Sequence, residues 1–213
     1  TFIPLAEEVG LIDPIGQWVL RTACAQQVAW GAYGLGEVSI AVNLSGVQFQ
    51  QADLVESIRT IVRETGANPA RLELELTEST AMHDAENAVL IFRQLKTMGF
   101  SLSIDDFGTG YSSLAYLKRF PIDTIKIDRA FVKDLASESE QAAIAMAIIA
   151  MAHGLKLRVL AEGVETQPQL DILRDQGCDT IQGYFFSHPL PADRVEQLIR
   201  DLRAKANHER RAA

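Results

Sequence analysis

Leu72-Glu73-Leu74-Glu75-Leu76-Thr77 alternates leucine with an acid or a hydroxyl at period two, the pattern of a β-strand with one apolar and one polar face. Five other stretches repeat it: Val38 to Asn43, Ser101 to Asp106, Thr124 to Asp128, Leu157 to Glu162 and Thr180 to Gly183. With Arg71 to Thr77 they predict six strands. One parity gathers Val42, Leu72, Leu74, Leu76, Leu102, Ile104, Ile125, Ile127 and Val159; the other gathers Asn43, Glu73, Glu75, Ser103, Asp105, Lys126, Asp128, Glu162 and Gln182. Strands of an open parallel sheet, covered by helices on both faces, read as nearly continuous apolar runs. A polar parity in every strand instead predicts a closed barrel with the polar side chains in its lumen.

Helical spacing fills the intervals. Asp53 to Thr65, Asn87 to Met98, Glu140 to Ala152 and Leu170 to Gln176 read as helices, with Gly66, Gly99, Gly154 and Gly177 placed to stop them. Phe2 to Val9 and Ile15 to Trp30 form a helical preface to the first strand. Strand alternating with helix calls for parallel strands joined by helical crossovers. The fold class is therefore α/β, a modified (β/α)8 TIM-type barrel. Six strands fall short of eight, so residues 1–213 are expected to be a single barrel domain truncated at its N-terminus, with the first strands upstream of Thr1.

Composition narrows the function. A length of 213 residues, 47 % hydrophobic, suffices for one sizeable core. The longest apolar run, Ala142 to Ala152, is shorter than the roughly 20 residues a membrane span needs. A formal charge of −8 argues against coating DNA, which requires a basic footprint. Cys24 and Cys178 lie far apart, supporting neither a disulfide framework nor a zinc knuckle, and fit a reducing cytoplasm as core filler. His83, His153, His188 and His208 show no metal-binding or triad spacing and read as surface or helix-end residues.

The acids fall at strand ends, where barrel enzymes carry their chemistry. Asp105 and Asp106 precede Phe107-Gly108-Thr109-Gly110-Tyr111-Ser112-Ser113. Adjacent carboxylates repel unless cations share them, although this loop also reads as a glycine-rich turn with a helix cap at Ser112 or Ser113. Glu75 points into the lumen as a candidate metal ligand, and Glu78 suits either a loop anchor or the start of the next helix. Asn43 offers a neutral oxygen at the same depth. Lys126 suits orienting an attacking water or forming a buried ion pair with Asp128 or Glu75. Glu162, Glu165 and Gln182 complete a set dominated by oxygen, which favours Mg²⁺ or Mn²⁺ over zinc and suits hydrolysis of a phosphodiester. A metal-dependent barrel lyase with Lys126 as base is a further reading of the same residues.

In order, Asn43-Leu44-Ser45, Glu75-Leu76-Thr77-Glu78, Asp105 to Ser113, Ile125-Lys126-Ile127-Asp128, Ala161-Glu162-Gly163-Val164-Glu165 and Gln182-Gly183-Tyr184 resemble the motif series of EAL-domain cyclic di-GMP phosphodiesterases. The resemblance runs from Phe2 to the Pro189-Leu190-Pro191 segment. It implies hydrolysis of cyclic di-GMP to linear pGpG with two Mg²⁺ or Mn²⁺ ions. By motif position, Asn43, Glu75, Asp105, Asp106 and Glu162 would be metal ligands. Lys126 would position the water, Asp106 would help deprotonate it, Glu78 would anchor the Asp105 to Ser113 loop, and Glu165 and Gln182 would complete the pocket. The resemblance also implies a homodimer and, in the parent chain, GGDEF or sensory domains, with membrane contact absent from this domain. The Glu-Ala-Leu signature is expected upstream of Thr1, so the fragment alone is expected to be poorly active. A non-catalytic cyclic di-GMP receptor is the alternative that the same family admits.

Overall fold

The computed structural model describes residues 2–110, 113–135 and 139–212, with side chains described as far as Arg203. Six strands form one sheet: β1 (Ile40–Asn43), β2 (Leu72–Thr77), β3 (Ser101–Phe107), β4 (Thr124–Ile127), β5 (Arg158–Ala161) and β6 (Thr180–Ile181). All neighbours are parallel and the spatial order equals the chain order. A doubly wound sheet reverses direction at a switch point, whereas sequential order throughout is the arrangement of a barrel wall. The sheet is thus the curled half-barrel of an α/β TIM-type fold.

Eleven α-helices occur among the described residues: α1 (Ile3–Glu8), α2 (Ile12–Ala32), α3 (Gly46–Phe49), α4 (Leu54–Thr65), α5 (Glu78–His83), α6 (Ala85–Thr97), α7 (Leu114–Leu117), α8 (Arg129–Val132), α9 (Glu140–Gly154), α10 (Gln167–Asp175) and α11 (Ala192–Ala212). The apolar parity is buried beneath them: Leu72, Leu74, Leu76, Leu102, Ile104, Ile125, Ile127 and Val159 belong to the continuous core. Burying a large aliphatic side chain is worth about 1.5–3 kcal/mol, which makes this face the main source of sheet stability. α4 contributes Leu54, Ile58 and Ile61 from one stripe and stops at Gly66, whose φ of 69° few other residues adopt.

Several helix boundaries differ from expectation: α6 starts at Ala85 and α10 at Gln167, ahead of Asn87 and Leu170, and α2 and α9 depart as well. α2 starts at Ile12, ahead of Ile15, because Pro14 falls in the first turn, where its missing N–H breaks no helical bond. α9 runs through Gly154, and Lys156 takes the left-handed φ of 63° instead. Ser113 occupies the N-cap position of α7 without a side-chain capping bond, and Ser112 lies outside the described residues. Cys24 is wholly buried, Cys178 is half-buried, and both are free thiols.

One device recurs at the amino ends of the strands. Asp123, just before β4, accepts the Leu102 N–H of β3 at 2.8 Å and pairs with Lys96 near the end of α6 at 2.7 Å. Asp179, just before β6, accepts the Val159 N–H of β5 at 2.8 Å and meets His153 near the end of α9 at 2.9 Å. Each aspartate opens an Asp-Thr-Ile triplet. The pairs clamp helix end to strand start on the side of the sheet opposite the acid cluster. No described helix is long and apolar enough to cross a membrane.

Candidate active site

The carboxyl ends of the strands carry the chemistry-bearing residues to one rim. Lys126 of β4 is 3 % exposed, and its Nζ lies 2.9 Å from Glu75 Oε2, 3.2 Å from Asp105 Oδ1 and 2.7 Å from Glu162 Oε1. β2, β3 and β5 thus converge on one ammonium. Burial pushes the Lys126 pKa down, but Glu162, Glu75 and Asp105 outweigh it, so the amine is held above its ordinary range and stays charged. Burial pushes Glu75 up, against the pull of Lys126. Of the two ion pairs considered for Lys126, the one with Glu75 forms. Asp128 instead accepts the Ala130 N–H at 2.7 Å as the cap of α8 and lies within hydrogen-bond reach of Asp106.

Adjacent residues on a regular strand point to opposite faces, which would separate Asp105 from Asp106. β3 avoids this with a register shift between Ile104 and Phe107, and Asp106 takes a φ of 53°. Asp tolerates this left-handed conformation better than most residues. Ligand oxygens of Asp105, Asp106 and Glu162 consequently lie within 4.8 Å of one another. Burial, then the Asp105 and Asp128 carboxylates, push Asp106 up to about 6. Crowded acids that resist ionisation are what hard cations relieve, and the donors are all oxygen.

The remaining candidates occupy the rim. Asn43 ends the edge strand β1, paired in register with Glu75, and is exposed. It lines a cavity of about 510 Å³ with Ser45, Gln48, Thr77 and Thr80. Glu78, buried at the start of α5, accepts the Gly108 N–H at 2.8 Å across the β3 loop. Glu165 is exposed and pairs with Arg129 at 2.7 Å. Gln182 is exposed, and its backbone carbonyl accepts the Val164 N–H at 3.0 Å. The structure therefore joins Glu75, Asp105, Asp106, Lys126 and Glu162, while Glu78 and Gln182 bond to neighbouring loops and Glu165 to Arg129 at the start of α8.

The histidines with described side chains stand apart from this cluster. His83 ends α5, His153 meets Asp179, and the His188 ring lies 4.2 Å from that of Tyr184. The His208 side chain lies outside the described residues. Sequence reasoning overlooked Asp128 as a neighbour of Asp106. Its lumen parity was the available signal, but the bulge that turns Asp106 towards it leaves none.

A model of the EAL domain matches residues 1–189. The bifunctional diguanylate cyclase/cyclic di-GMP phosphodiesterase MucR of Pseudomonas aeruginosa is 50 % identical over 91 % of this chain and 28 % of its own. The cyclic di-GMP phosphodiesterase NbdA of the same organism is 44 % identical over 96 % of this chain and 26 % of its own. This chain thus spans about a quarter of the length of these curated relatives. The solved structure of the PaMucR phosphodiesterase in complex with c-di-GMP superposes with a TM-score of 0.89 at 49 % identity, covering 91 % of this chain and 78 % of that one.

Proposed function

The chain belongs to the EAL-domain family, and from that premise we propose that its domain hydrolyses cyclic di-GMP to linear pGpG at the acid-lined rim. The observation that carries this is the convergence of Asp105, Asp106 and Glu162 oxygens within 4.8 Å, beside Glu75 and Lys126. Asn43, Glu75, Asp105, Asp106 and Glu162 would hold two Mg²⁺ or Mn²⁺ ions, which supply charge neutralisation and an acidified water when bound.

The protein's own groups then have separable tasks. An ammonium has three donors, and those of Lys126 are directed at Glu75, Asp105 and Glu162. Were one of these carboxylates to hold a cation, the donor it now receives would be free to orient the attacking water. Asp106 accepts the proton of that water; the new bond joins water oxygen to phosphorus, the bond from phosphorus to the ribose 3′ oxygen breaks, and that oxygen takes up a proton. Glu78, through Gly108, holds the loop that carries Asp106. Glu165 and Gln182 flank the substrate.

We place this domain in the cytoplasm of a signalling protein with GGDEF or sensory domains, and in a homodimer. The decisive assay is chromatography of pGpG formed by the protein that carries this domain, with Mn²⁺ and with EDTA. Conversion that requires the cation and disappears in Glu75→Gln supports the reading. Cation-independent conversion, or full activity in Glu75→Gln, overturns it. A receptor reading has one observation in its favour: Lys126 already occupies one oxygen each of Glu75, Asp105 and Glu162. Tight binding without turnover would select it.

A further inference from the structure

The segments that follow β4 and β5 are joined by one buried amide. Gln169, in the first turn of α10, is 6 % exposed. Its Oε1 accepts the N–H groups of Glu165 at 2.8 Å and Thr166 at 3.0 Å. Its Nε2 donates to the carbonyls of Val132 at 3.3 Å and Lys133 at 3.1 Å. A primary amide has two donors and two acceptor lone pairs, so the full capacity of this side chain is committed. A glutamine three residues into a helix commonly caps the local N-terminus. Only the acceptor half of Gln169 does that; the donor half crosses to the end of α8.

The bridge matters because of what it spans. On one side α8 begins at its cap Asp128, which faces Asp106 and lies two residues beyond Lys126. On the other runs Glu162-Gly163-Val164-Glu165. A second tie links the same segments at the surface. The Arg129 side chain packs over Gly163, in the space a Cβ would occupy, and its guanidinium meets Glu165 at 2.7 Å.

We propose that Gln169 is a positioning residue: by fixing the α8 segment against the β5 loop, it sets where Glu162 stands relative to Lys126 and to the Asp105–Asp106 pair. The inference rests on the phosphodiesterase reading for its consequence in turnover, while its consequence for cation binding stands on the acid cluster alone. Misplacing a reacting group by about 1 Å can cost on the order of 100-fold in rate.

Gln169→Glu separates the two halves of the side chain. A carboxylate keeps the acceptors for Glu165 and Thr166, and with them the helix cap, but places an oxygen against the Val132 and Lys133 carbonyls. In the protein that carries this domain, the expected result is a folded variant with the circular dichroism of the parent. Its Mn²⁺ dissociation constant by calorimetry rises roughly 5- to 10-fold, and kcat for cyclic di-GMP falls roughly 10- to 100-fold while KM moves less than about threefold. Gln167→Ala, on the exposed face of the same turn, is expected to leave all of these readouts unchanged. Should Gln169→Glu not stay folded, Gln169→Met, neutral and of similar volume, is read in the same way. Parental Mn²⁺ affinity and kcat in a folded variant would overturn the bridge and leave the phosphodiesterase reading standing. Weakened Mn²⁺ binding in a protein whose parent turns over no cyclic di-GMP would support the bridge and overturn that reading.

Discussion

Asp105 and Asp106 are neighbours in the chain yet bring their carboxylates to the same rim, because β3 slips register before Phe107 and Asp106 adopts a φ of 53°. The bulge concentrates negative charge beside the ammonium of Lys126, which touches Asp105 at 3.2 Å.

Asp106→Asn tests the cost of that crowding. Burial and the Asp105 and Asp128 carboxylates raise the Asp106 pKa to about 6 from 3.8. A raised acid stabilises the fold while protonated and loses that contribution as pH climbs from about 4 through 6. At pH 7 in EDTA the variant is expected to be more stable by about 1–2 kcal/mol, a figure reduced for the solvent that reaches the group. Urea unfolding should show the difference vanish near pH 4. A variant less stable than the parent at pH 7 would refute the electrostatic account.

Removing Lys126 should have the opposite sign. Lys126→Met leaves Glu75, Asp105 and Glu162 without their shared counter-ion in a buried setting. Breaking a buried pair on one side costs about 3–5 kcal/mol. Urea midpoints in EDTA should fall accordingly, and saturating Mn²⁺ should narrow the gap by supplying positive charge to the same acids. Equal midpoints for the two proteins would remove Lys126 from the list of stabilising contacts.

Two glycines of the β5 and β6 loops should differ in their intolerance of a methyl group. At Gly183 a Cβ would overlap the backbone of Val164, which the hydrogen bond to Gln182 holds in place. At Gly163 it would meet the Arg129 Cγ, which a change of rotamer can move, and the Arg129 Cβ at 2.8 Å, which α8 must shift by a few tenths of an ångström to relieve, on top of the strain of a φ of 70°. Gly183→Ala is expected to cost about 3 kcal/mol and Gly163→Ala about 1–2 kcal/mol. Thermal denaturation of both variants checks the ranking, and the reverse order would contradict it.

The clamp at Asp179 should register in acid. Burial pushes its carboxyl up, but the His153 contact and the Val159 N–H outweigh this and hold it below its ordinary value. A depressed acid contributes stability above the unfolded-state pKa, and the contribution is lost as pH falls through the lower folded value. Asp179→Asn keeps an oxygen for Val159 and removes the charge, so its deficit should be present at neutral pH and shrink below pH 4, the usual carboxylate range. Urea midpoints at pH 7 and pH 3 decide this; a deficit that grows in acid would be inconsistent with it.

Period-two alternation made the sheet legible in the sequence. Leu72 to Thr77 and its five counterparts lie within two residues of the observed strands, and their apolar parity is the buried face. The acids at strand ends were legible for the same reason. Contacts created by departures from regularity were not. The bulge that brings Asp106 to Asp128 and the bridge made by Gln169 each depend on pairings between distant segments. No local pattern announces such pairings.

Asp123 and Asp179 fasten helix to strand at the end of the sheet remote from Lys126. Anchorage and reactivity are thereby assigned to opposite poles of the domain. Substitutions at the reactive rim leave these two fastenings untouched, so what such a change costs in stability is confined to the cluster around Lys126.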